Sequence, residues 1–70
     1  MLKAREVMRM VERAGFVYQR NHGGHAIYTN QASGKVTLVP QHGGKDVSRT
    51  VLRAIINQVD LSDEEFLSLR

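Results

Sequence analysis

Two polar, glycine-containing turns, at residues 21–24 and 30–34, divide the middle of this 70-residue chain into three short segments. These segments, at residues 16–20, 25–29 and 35–39, are rich in β-branched and aromatic residues, which favour strands. Connections this short allow neighbouring strands to pair only in the antiparallel sense, because parallel pairing needs a crossover of about a dozen residues. The pattern therefore predicts a three-stranded antiparallel meander.

Amphipathic segments on either side of the predicted sheet have the periodicity of helices. Before Gly15, apolar residues recur at helical spacing, at Ala4, Val7, Met8, Val11 and Ala14. After Pro40, residues 48–58 repeat this pattern, and Ser48 or Asp46 is expected to cap that helix. The sequence Ser-Asp-Glu-Glu at residues 62–65 matches a capping box and predicts a short closing helix.

The resulting order is α-β-β-β-α with a C-terminal tail, in a single α+β domain over residues 1–70. Consecutive strands and two long amphipathic helices favour a three-stranded antiparallel sheet with both helices on one face. This is the layout of a double-stranded-RNA-binding-domain-like fold.

The two-residue period of strands predicts which side chains share a face. A five-residue loop at residues 30–34 would place Thr29 opposite Lys35, Ile27 opposite Thr37 and His25 opposite Val39. The more apolar face, expected beneath the helices, then holds Ala26, Tyr28, Val36 and Leu38. The open face is expected to hold His25, Lys35 and Thr37. A slip of one residue would invert this arrangement.

Charge is distributed unevenly along the chain. Residues 1–59 hold nine Lys or Arg against three Asp or Glu, a net charge of +6, whereas residues 60–70 carry −3. A basic body of this kind suits a polyanion such as RNA or DNA, although such charge also serves solubility alone. For the acidic tail we expect helix capping, with contact to a partner protein as the alternative.

Several classes of protein are disfavoured by composition. The chain has no cysteine, which excludes disulfide frameworks and thiolate metal sites. No apolar stretch is long enough to span a bilayer, and the charged N-terminus does not match a signal peptide. We therefore expect a cytoplasmic protein that does not enter a membrane.

The segment Arg-Asn-His-Gly-Gly-His at residues 20–25 concentrates groups that could act on RNA. Histidine is the usual general base near neutral pH, and paired glycines leave backbone N–H groups open to a phosphate. Such groups could promote attack by a ribose 2′-hydroxyl on its own phosphodiester, with an arginine or lysine supporting the transition-state charge. This reaction needs no metal or other cofactor. The alternatives are a structural role for His25, an exposed turn position for His22, and glycines that serve only the turn.

The chain resembles the HicA family of toxin ribonucleases in a series of motifs. The pattern R-x-x-G-[S/G]-H at residues 20–25 is followed by V-x-L-V-P-x-H at residues 36–42. The helix T-V-L-R-A-I-I-N-Q at residues 50–58 and L-S-D-E-E-F at residues 61–66 complete the likeness. The order and spacing of these motifs, rather than any one of them, carry the resemblance over nearly the whole chain.

This resemblance implies an mRNA interferase of a type II toxin–antitoxin system, with a HicB-type antitoxin that covers its active site. The family's catalytic histidine falls on His25, because it directly follows the glycine–serine pair of the motif. Gly24 stands where the family usually has serine, which removes a hydroxyl from the site. His42 matches the histidine of P-x-H, for which a loop-fixing hydrogen bond and an acid–base role are both open. Its expected position is at the same sheet edge as His22.

Five cations are expected to flank the site and to contact RNA phosphates: Arg20, Lys35, Lys45, Arg49 and Arg53. Each could equally be solvated. The alternative function is a non-catalytic double-stranded-RNA-binding module on the same fold. A DNA-binding regulator is a weaker alternative, because the chain lacks a recognisable helix-turn-helix: three strands separate its two main helices.

Overall fold

A computed structural model describes residues 2–41 and 44–70 of the chain. Its elements are α1 (Ala4–Arg13), β1 (Val17–His22), β2 (His25–Asn30), β3 (Lys35–Pro40), α2 (Arg49–Val59) and α3 (Asp63–Leu67). The sheet has the order β1-β2-β3 with both pairs antiparallel. The predicted α-β-β-β-α layout is confirmed. Within the described residues, no helix is long and apolar enough to cross a membrane.

Both long helices cover the same face of the sheet. That face contributes Ala26, Tyr28, Thr37 and Val39, all fully buried. They pack with apolar residues of the helices, namely Val7, Met10 and Val11 of α1 and Ile55, Ile56 and Val59 of α2. Phe66 from α3 is fully buried in the same core. On the opposite face, Val17, Val36 and Leu38 are about half exposed among the described residues, and we call this face the open face.

The expected register between β2 and β3 is wrong by one residue. Asn30 pairs with Lys35, Tyr28 with Thr37 and Ala26 with Val39, so the connecting loop has four residues rather than five. Thr37 is therefore buried beneath the helices, while Val36 and Leu38 lie on the open face. Of the expected open-face residues, His25 is correctly placed, whereas Thr37 and Lys35 belong to the other side.

The reason lies in Asn30 and Thr37. The Asn30 side-chain oxygen accepts hydrogen bonds from the amides of Ala32 and Ser33, at 3.0 and 3.2 Å. Gly34, at φ +75°, closes the loop by donating to the Asn30 carbonyl at 2.7 Å. This compact turn lets β2 extend through Asn30. The buried Thr37 hydroxyl donates to the Gln58 side-chain oxygen at 2.5 Å, which removes the penalty for burying it.

The first strand contains a β-bulge at Gln19. Tyr18 pairs with Tyr28 on the helix side, where the two rings form an edge-to-face contact at 5.7 Å. After the bulge, Arg20 pairs with Ile27 on the open face. The Tyr28 hydroxyl donates to a Glu12 carboxylate oxygen at 3.1 Å. Burial, followed by the charge of Glu12, raises the pKa of Tyr28.

The predicted helix caps are confirmed. Ser48 caps α2, since its hydroxyl accepts a hydrogen bond from the Val51 amide at 3.2 Å. Ser62 and Glu65 form the reciprocal capping box of α3, with distances of 2.9 and 3.1 Å. Part of the acidic tail therefore serves to start the closing helix, as expected.

The register predicts opposite outcomes for the same substitution at adjacent residues. Thr37→Asp should lower the free energy of unfolding by more than about 3 kcal/mol, because it places an unpaired charge in the core. Leu38→Asp should change it by less than about 1 kcal/mol, because residue 38 faces solvent. Urea denaturation of both variants checks this, and a larger loss for Leu38→Asp would contradict the register.

Candidate active site

The fold gathers Arg20, His22 and His25 at one end of the open face. His22 and His25 are direct cross-strand partners, and Arg20 pairs with the next outward residue of β2, Ile27. Because directly opposed residues project from the same face, these three side chains share it with Ile27. His25 is half-buried, whereas Arg20 and His22 are exposed. We call Arg20, His22 and His25 the basic cluster.

The turn that joins these strands depends on its two glycines. Gly23 and Gly24 have φ values of +58° and +82°, as a two-residue type I′ hairpin turn requires. Space is open around the position of a Cβ on Gly24, so the backbone conformation, not crowding, disfavours serine there. The Gly24 carbonyl accepts a hydrogen bond from the Gln41 amide at 2.8 Å, which fixes the turn to the end of β3.

The open face beside the basic cluster is unusually apolar for an uncovered surface. Val17, Val36 and Leu38 are 53, 48 and 44% exposed. Leu38 is the cross-strand partner of the half-buried Ile27, and Val17 and Val36 pair with Thr29 on either side. Ile27, Val36 and Leu38 line a shallow depression, together with the polar residues Gln19, Arg20, Thr29 and Gln31. Sequence reasoning missed this patch, because the expected register had placed Val36 and Leu38 in the core.

The other predicted phosphate contacts are dispersed. Lys35 lies at the opposite end of the sheet from His25 and pairs with Asp60 at 2.9 Å. Arg53 forms a two-pronged ion pair with Asp63, at 2.6 and 2.8 Å, which lowers the pKa of that carboxyl. Arg49 is exposed in the first turn of α2. Lys35 therefore does not flank His25 in the sheet, whereas the expected phosphate contacts of Arg49 and Arg53 stay predictions. His42 lies outside the described residues.

Lys45 belongs to a second basic feature, which we call the basic groove. It is a concavity of about 340 Å³ between the start of α1 and the chain that follows β3. Its lining comprises Lys3, Ala4, Arg5, Met8, Gln41, Gly44 and Lys45. Sequence reasoning missed Lys3 and Arg5, because no local pattern links them to residues about forty positions away.

Lys3 builds the wall of this groove. Its ammonium group contacts the Asp46 carboxylate at 2.9 Å and donates to the Gly44 carbonyl at 2.8 Å. The hydrogen bond from Lys3 lowers the pKa of Asp46. Within the part of the chain that the structure describes, Arg5 and Lys45 have no ion-pair partner. The groove therefore presents two cations that an anion could meet.

A metal site does not emerge from the described side chains. Across residues 2–41 and 44–70, no three histidine or acidic side chains come close enough together to hold a metal ion. The two imidazoles of the basic cluster can transfer protons, and its guanidinium supplies a permanent positive charge beside them.

Fold and site together define a small basic α+β protein with two histidines and an arginine on an open sheet face. Residues 4–61 match the family described as HicA toxin of bacterial toxin–antitoxin systems. Because the match covers well over half of the 70 residues, the chain belongs to the HicA toxin family. The resemblance drawn from the motifs is thereby confirmed, and membership implies an antitoxin as partner. No curated protein matches the chain significantly.

Proposed function

We propose that this toxin is a metal-independent endoribonuclease that cleaves mRNA, with His25 as the general base. The observation that carries the proposal is the convergence of Arg20, His22 and His25 on one accessible face. His25 removes the proton from a ribose 2′-hydroxyl, whose oxygen then attacks the adjacent phosphorus. The bond from phosphorus to the 5′-oxygen breaks, and this oxygen takes up a proton. The products are a 2′,3′-cyclic phosphate and a 5′-hydroxyl.

Arg20 is the natural support for the charge that develops on the phosphoryl oxygens. Its guanidinium always carries a charge and offers donors in a planar fork that suits phosphate. It stands beside His25 on the neighbouring strand, paired with Ile27. A cation whose backbone position is set by strand pairing requires little rearrangement of the chain as the transition state forms.

The basic groove adjoins the end of the sheet that carries His25, and the two cations that it presents are suited to bind an RNA phosphate. His25 pairs with Pro40, and the next residue, Gln41, lines the groove. Neighbouring strands lie about 5 Å apart and successive residues about 3.3 Å apart, so the backbone of Gln41 lies close to that of His25. We propose that RNA with its scissile phosphate at His25 places a neighbouring phosphate near Arg5 and Lys45, which line the same groove as Gln41. Ala4 and Met8 offer apolar surface to the attached nucleoside.

The antitoxin is proposed to be of the HicB type and to cover the open face. Large contiguous apolar patches are rare on the surface of monomeric proteins and often mark sites of interaction with a partner. Val36 and Leu38 are close to half exposed beside the basic cluster. A protein that buries them would also exclude RNA from His25, which provides neutralisation by steric blocking.

The proposed base is tested by His25→Ala in the presence of EDTA. This variant should cleave RNA at least about 100-fold more slowly than wild type, since general base catalysis typically contributes 10²–10⁴-fold. Thr29→Ala is a matched control, because residue 29 lies on the same strand and the same face, four residues away. It should retain cleavage within about threefold.

Two outcomes would count against this proposal. Equal cleavage by folded His25→Ala and wild type would assign the activity to another residue. Absence of cleavage by wild type, together with salt-dependent binding of duplex RNA, would favour the non-catalytic RNA-binding module. Circular dichroism of each variant verifies folding.

Arg5→Ala and Lys45→Ala test the groove as a phosphate contact. In a His25→Ala background, each should weaken binding of single-stranded RNA about tenfold, the effect of losing one charge-assisted hydrogen bond. Each should also reduce the slope of log affinity against log salt by about 0.7. Arg9→Ala is the matched control, one turn along the exposed side of α1 and outside the groove. An equal loss for Arg9→Ala would indicate diffuse attraction instead.

A further inference from the structure

His22 and His25 form the last cross-strand pair of the β1–β2 hairpin. We propose that His22 is the general acid of the cleavage reaction and protonates the departing 5′-oxygen. This inference rests on the proposed ribonuclease function and adds a second catalytic residue to it. The motif R-x-x-G-[S/G]-H carries a histidine only at the position of His25, so the role of His22 follows from the pairing alone.

The geometry of the pair is suited to an acid and a base on one phosphodiester. In an antiparallel pair, directly opposed side chains have their Cβ atoms about 4.5–5.5 Å apart and project from the same face. The two-residue turn through Gly23 and Gly24 fixes this spacing. Two imidazoles held in this way can approach a phosphate between them from its two sides. The attacking 2′-oxygen and the leaving 5′-oxygen lie on such opposite sides in an in-line displacement.

The proton balance closes with these two groups. Neutral His25 accepts the proton of the 2′-hydroxyl, while protonated His22 donates a proton to the 5′-oxygen as its bond to phosphorus breaks. One proton is thus moved from His22 to the RNA and one from the RNA to His25. Exchange with water restores both histidines after the products leave.

Other described side chains are less suited to act as the acid. Arg20 also faces this end of the sheet, but a guanidinium does not give up its proton in proteins. The neighbouring outward residues of β2 and β3, Ile27 and Leu38, do not titrate. Lys45 belongs to the basic groove and not to the open face. Within the described part of the open face near His25, His22 is the remaining group able to donate.

Cleavage of an RNA with sulfur in place of the bridging 5′-oxygen separates an acid from a positioning residue. A thiolate leaves without protonation, so this substrate does not need a general acid. On ordinary RNA, His22→Ala should lower kcat at least about 100-fold. On the sulfur-substituted RNA, the same variant should approach wild type, whereas His25→Ala should remain slow on both substrates.

The pH dependence gives a second readout. Wild type should have a bell-shaped profile of kcat/KM, because one histidine must be neutral and the other protonated. Arg20 and His25 are the charged or titratable side chains that share the face with His22 on β1 and β2. His22→Ala should lose the fall in rate at high pH, which reports deprotonation of the acid. His22→Gln, whose side chain retains polar character without titrating, should behave in the same way.

The outcomes distinguish this inference from the proposed function. Equal losses on both substrates for His22→Ala and His22→Gln would make His22 a positioning or binding residue and overturn the inference. Retention of ordinary cleavage by both variants would also overturn it. In either case, an inactive His25→Ala variant would still support the ribonuclease proposal, whereas an active one would contradict it.

Discussion

The burial of one face of β2 beneath the helices determines where the reactive groups lie. Ala26 and Tyr28 are fully buried, and the alternation of a strand then directs His25 and Ile27 to the open face. A one-residue slip would expose Tyr28 and would bury the imidazole of His25. Each large apolar side chain in the core contributes about 1.5–3 kcal/mol, against a total stability of about 5–15 kcal/mol for a small domain. Core packing therefore fixes the orientation of His25.

The pairing of β1 with β2 brings the other two residues of the basic cluster next to His25. The glycine turn brings His22 opposite His25, and the bulge at Gln19 sets Arg20 opposite Ile27. All three members of the basic cluster come from six consecutive residues, so the site needs only one hairpin and little loop ordering. An arrangement this local is suited to a small domain with a thin core.

Local patterns in the sequence were enough to predict the elements and part of the site. Helical periodicity and capping residues gave both long helices, and Ser48 and Ser62 cap where expected. The position of His25 on the open face followed from the apolar partners Ala26 and Tyr28. Its catalytic role came from the family resemblance and stays a prediction, as does that of His42.

The predictions that were wrong or missing depended on tertiary contacts, which no local sequence pattern reveals. Apolar character alone favoured Val36 and Leu38 for the core, but the Asn30 turn shifted β3 by one residue and buried Thr37 instead. The hydrogen bond from Thr37 to Gln58 joins residues 21 positions apart. The basic groove likewise depends on the contact of Lys3 with Asp46. Tertiary contacts of this kind select one of two similar strand registers. They also determine which cations, distant in the sequence, become neighbours in the fold.

The chemical identity of the RNA ends tests the central claim most directly. Wild-type protein in EDTA would be given an RNA with a defined cleavage site, and its products analysed by mass spectrometry. Attack by the neighbouring 2′-hydroxyl predicts a 2′,3′-cyclic phosphate, or its hydrolysed 3′-phosphate, and a 5′-hydroxyl. A single 2′-O-methyl group at the cleaved nucleotide should abolish the reaction. Products with a 5′-phosphate and a 3′-hydroxyl, or unimpaired cleavage of the methylated RNA, would contradict the account.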